Sequence, residues 1–284
     1  MKTKIIALAI ASTLIPLVAC AGSDHDNVSN QVIEKQRAML EIKTDGKGFG
    51  PQSPRDLSSH QGSNARIFGE APAYQDMNLC NIHFHKNAEH KGGEFNKYAG
   101  NGTGTGYQSG FVYSGKLSSS ETKKIDKDIC PSPHGGLFPG DTIEVHYVHS
   151  TALAKPGHTL GACLGESITN IQARVETQVY VLVNDKSALD FGNLTKHAVV
   201  NGKHQALNIP NNTGTAIQYA GSTTGPSYNE KASPFQISWS VRPKVAKVNI
   251  ETVGEWCKGN AFKEDHAHGV RNLVTNPKLL SQMK

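Results

Sequence analysis

The sequence predicts a mainly β, single-domain protein built on a large twisted sheet with few short helices. Three observations predict it. Apolar residues come in short alternating runs rich in Val, Ile and Thr. Turn-rich stretches separate those runs, and no long helical period competes with them. The chain has 284 residues, 28 of them glycine, and 37% hydrophobic content, which suits one sizeable core.

The elements follow in order. Residues 1–19 read as an export leader of lipoprotein type. Lys2 and Lys4 form its basic end, and "IIALAIASTLIPLVA" is its apolar run, shorter than the roughly 20 residues that a membrane-spanning helix needs. Leu17-Val18-Ala19-Cys20 is similar to the lipobox of bacterial lipoproteins, in which cleavage precedes the cysteine and its thiol takes the lipid. Cleavage after Ala21 is the alternative. Both place the mature chain outside the cytoplasm, either as a cell-envelope lipoprotein facing the periplasm or on the outer membrane, or as a soluble periplasmic protein. Residues 20–45 are expected to form a polar tether, with a short helix as the other reading of "NQVIEKQRAMLEIK". The domain proper is 46–284. Its strands are "MNLCNIHFH", "DTIEVHYVHST", "ARVETQVYVLV", "TAIQYA" and "PFQISWSV". The turns between them include "AGNGTGTGYQSG", "CPSPHGGLFPGD" and "IPNNTG". The first of these neither follows a strand nor opens a helix, so it reads as a plain loop rather than a phosphate cradle.

Charge and cysteines narrow the class. A net charge of +5 without a basic cluster is too weak for a nucleic-acid partner. Cys80, Cys130, Cys163 and Cys257 are even in number and widely spaced, which in an oxidising compartment implies two disulfides with three pairings open. No CxxC is present.

Thirteen histidines remain to be explained. Most lie in turn-like or polar surroundings. His83 and His85 stand two apart on a strand, so they share a face with Asn81, while Cys80, Ile82 and Phe84 take the other face. Two such imidazoles can converge on one ion, and a catalytic zinc site needs a third protein ligand. "IEVHYVHS" supplies His146. Glu144, His146 and Val148 share one face, with Glu144 spaced to accept from His146; His149 points away. The HxH of "EDHAHG", His266 and His268, is a minor rival site.

At several separated points the sequence resembles the carbonic anhydrases. "IHFHKNAEH" is similar to the α-class HFHWG…SEH stretch, "IEVHYVHS" to its ELHLVHWN, "GPQSPRDL" to its QSPI motif, and "YAGSTTGPSYNE" with "ISWSV" to its YxGSLTTPP segment and following strand. "CNIHFHKNAEHKGGEF", "GSTTGPSYNE" and the long gap between the histidine strands look most like the δ class. The resemblance implies a mostly antiparallel central sheet and one zinc ion on His83, His85 and His146, with Glu144 orienting His146. It implies an apolar pocket for CO₂ formed by Val148, Trp239 and Val181. Thr223 or Thr224 would orient the nucleophile and donate to Glu89; an ungapped match selects Thr224 and puts Gly225 at the next functional position. The implied reaction is reversible hydration of CO₂ to bicarbonate and a proton by attack of zinc-bound hydroxide. The chain departs from the α class in a shorter interval between the QSP motif and the first histidine strand. No histidine matches that class's proton shuttle; His60 and His90 are near in sequence only. The rival readings are a zinc-binding or zinc-delivery envelope lipoprotein without catalysis, and a catalytically silent domain.

Overall fold

The computed structural model describes residues 27–47, 49–59, 62–165, 171–224 and 232–283, with side chains undescribed at 223–224 and 232–235. The leader, Cys20, His60 and Gly225 therefore lie outside the described residues. The strands are β1 (Asn78–Lys86), β2 (Lys97–Tyr98), β3 (Phe111–Val112), β4 (Thr142–Ser150), β5 (Ala173–Val183), β6 (His197–Val200), β7 (Lys203–Ala206), β8 (Ile217–Thr224) and β9 (Ala232–Asn249). The central sheet has the order β1-β4-β5-β9-β8. Its pairs are antiparallel except β5 with β9. The mainly β, mostly antiparallel architecture with few helices is thus as the sequence predicts.

β4 is buried along its whole length, on both faces. Ile143, Val145 and Tyr147 pack with Ile82, Phe84 and Tyr180 in one apolar layer. Val148 packs with Val175, Tyr219 and Trp239 in the other. A strand covered on both sides can carry polar groups only where they find partners, and that is where Glu144 and His146 sit. Behind the first layer, helix α2 (Ile250–Cys257) is capped by Asn249, whose side chain accepts from Glu251 N. Phe84, Phe191 and Trp256 meet edge-on there, with Phe191 and Trp256 5.2 Å apart.

Alternation fails at one place in β1. A bulge between Leu79 and Asn81 makes Cys80 the extra residue. Ile82 and Phe84 enter the first layer, as expected, but Cys80 is turned into the second, beside Val148. There it pairs with Cys163, while Cys130 pairs with Cys257. Of the three pairings left open, the fold uses this one. Each link should contribute about 2–4 kcal/mol by restricting the unfolded chain. The Cys80 link, together with the bond from Gly157 N to Cys80 O, ties the 151–165 loop to β1.

Within the stretch expected as a tether, residues 20–26 lie outside the described residues and Asn30–Thr44 form helix α1. Ile33, Leu40 and Thr44 are its buried stripe, Arg37 Nε donates to Leu273 O at 3.0 Å, and Gln36 donates to Gly104 O at 2.6 Å.

His149 faces away from the site residues of β4, as expected. It is fully buried, donates from Nδ1 to Tyr147 O at 3.1 Å, and burial pushes its pKa down to about 3. The unfolded chain therefore binds a proton that the folded chain refuses between pH about 6.5 and 3. Stability is expected to fall as pH drops through that window, by about tenfold in the folding constant per pH unit from this group. Denaturation midpoints of His149→Gln against the parent should show a shallower acid loss.

Candidate metal centre

The register of β1 on β4 sets His83 opposite His146 and His85 opposite Glu144. The three imidazoles therefore project from adjacent positions on one face. Their ring centroids are 4.8–5.2 Å apart, and one ligand atom from each lies within 4.8 Å of the others. His83 Nε2 and His146 Nδ1 face each other at 3.2 Å.

The remaining ring nitrogens decide what those atoms are. His83 Nδ1 meets Asn81 Oδ1 at 2.6 Å, His85 Nδ1 meets Gly269 O at 2.8 Å, and His146 Nε2 meets Glu144 Oε1 at 2.6 Å. A carbonyl and a carboxylate only accept. Asn81 must also present its oxygen, because its Nδ2 donates to Gly157 O and Glu264 Oε1. Each ring therefore carries its proton on the outward nitrogen and a lone pair inward. Inward lone pairs from three converging rings, His85 and His146 buried and His83 half-buried, repel unless a cation lies among them, so the donor set fits a divalent metal such as zinc. Burial first, then the neighbouring histidines, holds the His83 pKa well below 6.5. Burial holds His85 at about 4 against the pull of Glu89. Both rings are neutral, as ligands must be.

Glu144 accepts more than the expected bond. Burial alone would raise its pKa, but His90 and the hydrogen bonds from His146 and His90 hold it well below the carboxylate range. His90 Nδ1 lies 2.7 Å from Glu144 Oε1, His90 N donates to Oε2 at 3.0 Å, and His90 Nε2 meets Tyr219 Oη at 2.5 Å. His90, Glu144 and His146 also cluster closely enough for an ion. The facing nitrogens of both rings already meet Glu144 Oε1 at hydrogen-bond distance, so neither turns a free lone pair to that point.

One rung of the sheet makes the wall beside the histidines: Val148 pairs with Val175, and Val175 with Trp239. With Leu160 and Ile237 they line a cavity of about 90 Å³ that also touches His83, His85 and His146. Val181, expected in this wall, is not there. It pairs with Thr142, six residues along β5 from Val175, or about 20 Å at strand rise. Val175 and Ile237 take its place. Trp239 is held by a bond from its Nε1 to Ser53 Oγ, 2.8 Å.

Glu89 also lines the cavity, 4% exposed, with Arg55 Nε 3.3 Å and His85 Nδ1 3.9 Å away. Burial pushes its pKa up, but Arg55 and then His85 outweigh that and bring it to about 2. Thr224 ends β8, paired with Ala232. The side chains of Thr223 and Thr224, and with them the expected bond to Glu89, lie outside what is described.

Several site residues escaped the sequence reading. Asn81 shared a predicted face with His83 and could have been found by that alone. Arg55 lay within the quoted QSPRDL. Gly269 comes from the far end of the chain, next to His268, whose N donates to Phe84 O in β1. Gly269 must be glycine, since a Cβ would stand 2.7 Å from the backbone of Gly106. The "EDHAHG" pair, read as a minor rival site, adjoins the centre: the His268 ring lies 5.3 Å from that of His83.

Among solved structures, similar chains include an α-carbonic anhydrase from Thermovibrio ammonificans in complex with the inhibitor sulfanilamide. It is 16% identical over 84% of this chain and 88% of that one, with a TM-score of 0.28. A hyperthermostable carbonic anhydrase from a hydrothermal vent chimney is 14% identical over 85% and 90%, with a TM-score of 0.28. The Photobacterium profundum α-carbonic anhydrase is 14% identical over 85% and 93%, with a TM-score of 0.24. No curated protein matches at a significant level. The family model described as Delta carbonic anhydrase matches residues 74–252, a span that holds β1, β4, β5, β8 and β9 with Asn81, His83, His85, Glu89, Glu144 and His146, and the chain belongs to that family.

Proposed function

We propose that this carbonic anhydrase hydrates CO₂ reversibly with one zinc ion held by His83, His85 and His146. The observation that carries the reading is an acceptor at the outward nitrogen of all three rings, which turns their other nitrogens inward within 4.8 Å of one another. Zinc held by neutral ligands keeps its full charge and makes a water acidic enough to attack CO₂ near neutral pH, as is general for carbonic anhydrases. The chain's own residues do the rest. Asn81, Glu144 and Gly269 fix the rings. Val148, Val175, Ile237 and Trp239 offer CO₂ an apolar surface beside them. Thr224, or Thr223, restricts the nucleophile's orientation and passes its hydroxyl proton's bond to Glu89, which Arg55 keeps ionised as an acceptor.

Stopped-flow CO₂ hydration before and after chelation, with zinc returned, tests this. Activity removed by chelation and restored by zinc is the expected result. One tightly held zinc with hydration no faster than buffer would favour the delivery protein instead. Glu144→Ala is expected to keep the fold and weaken zinc by roughly 10–100-fold, read by competition against a chelator of known affinity.

Export with a lipid on Cys20 is part of the same proposal. It is supported by the basic and apolar leader ending in Leu17-Val18-Ala19-Cys20 and by two disulfides, which need an oxidising compartment. Cys20→Ser should leave the membrane fraction; retention there would sink the anchor.

A further inference from the structure

We propose that His266 and His268 form a capture-and-transfer route by which a divalent transition-metal ion reaches His83, His85 and His146. The proposal rests on the three-histidine centre argued above and concerns how that centre is filled. His266 stacks on His268, with 5.9 Å between centroids and 11° between planes. His268 in turn lies 5.3 Å from His83 and 5.7 Å from His85. The outer pair is more open to solvent than the inner ligands, with His83 half-buried between them. The His266 and His268 side chains are 40% and 39% exposed, those of His85 and His146 only 11% and 3%. Imidazole nitrogens thus run from solvent to the centre in steps of one ring.

Each outer ring is also prepared as a ligand. His268 Nε2 donates to Glu264 Oε2 at 2.6 Å, and His266 Nδ1 to Asp265 Oδ1 at 2.5 Å. A carboxylate on one ring nitrogen leaves the other as a more basic lone pair and adds attraction for a cation. The row is also fixed in place. His268 N donates to Phe84 O and its carbonyl accepts from Lys86 N, which seats the ring on the edge of β1 between the ligand positions. Glu264 is only 4% exposed, and its other oxygen lies 3.4 Å from Asn81 Nδ2, the amide that orients His83. The carboxylate that serves the outer ring is therefore joined to the inner one.

The physical need is clear. A hydrated ion must lose waters before it can enter a buried three-nitrogen cavity, and a bound metal needs an entry path. Partly exposed imidazoles can replace those waters one at a time, so that no step requires a bare ion.

The test uses metal-stripped full-length protein. Zinc uptake is followed by stopped flow against a zinc-sensitive dye, and zinc loss against excess chelator. A route lowers a barrier without changing its ends. His266→Ala and His268→Ala are therefore expected to slow uptake and loss several-fold by the same factor, with the dissociation constant unchanged. His266 is exposed, so that variant does not put the fold at risk. Unchanged uptake would overturn the route. Weaker affinity with unchanged uptake would also overturn it, making these residues supports of the centre. Parent protein that takes up no zinc at all would instead overturn the centre itself.

Discussion

His146→Ala is expected to lose both tight zinc binding and CO₂ hydration, leaving a rate equal to the buffer blank. Two effects combine. The centre drops to two nitrogens, too few to hold zinc with one open position. Glu144 also loses the partner 2.6 Å away, although His90 still meets it through N and Nδ1. The variant should therefore remain folded, since the Glu144–His90–Tyr219 bonds persist. Metal content by elemental analysis, circular dichroism and stopped flow on the same sample separate these outcomes. Retained zinc at the parent's affinity would show that the metal is held elsewhere.

The second large effect should come from a residue that touches no metal. Val148 is 2% exposed, two positions along β4 from His146, and it forms the wall of the 90 Å³ cavity with Val175 and Trp239. Val148→Tyr would fill that space with a ring. Hydration is expected to fall by about 100-fold or more, because the substrate is held off its point of attack. Zinc affinity should be unchanged, because the wall contributes no ligand. Overpacking costs about 1–3 kcal/mol of stability, so the variant must be checked for folding. Val148→Ala, which enlarges the cavity, should lose much less activity. Equal losses in the two variants would show that the wall supports the strand and does not hold substrate.

How much of this was legible in the sequence depends on distance along the chain. The HxH of β1 and the Glu-x-His of β4 could be read because a strand's period of two places each pair on one face without knowledge of anything else. Their meeting across the sheet could be expected from zinc's need of a third ligand, but the register that sets His83 opposite His146 is a tertiary property the sequence does not carry. Val181 shows the limit. It lies on the predicted strand and, by its even spacing from Val175, on the same face, yet it is three pairs too far along. Cys80 shows another, because one inserted residue reverses a face and no pattern in "NLCNIH" announces it. The contacts from Gly269 and His268 join positions more than 180 apart, where sequence alone carries no signal of proximity.

The last of these contacts has a consequence in time. A chain is made from its N-terminus, so His83, His85 and His146 exist well before residues 264–283 do. Gly269 O, the acceptor for His85, comes late. So do Leu279 and Ser281, whose backbone bonds bracket Gln52 beside the Ser53 that holds Trp239. The ligands are thus complete in sequence long before they are oriented in space. A chain halted near residue 260 would carry all three and still bind metal poorly. On the proposed function, tight metal binding would then wait for residues 264–283 to pack against β1 and Gln52.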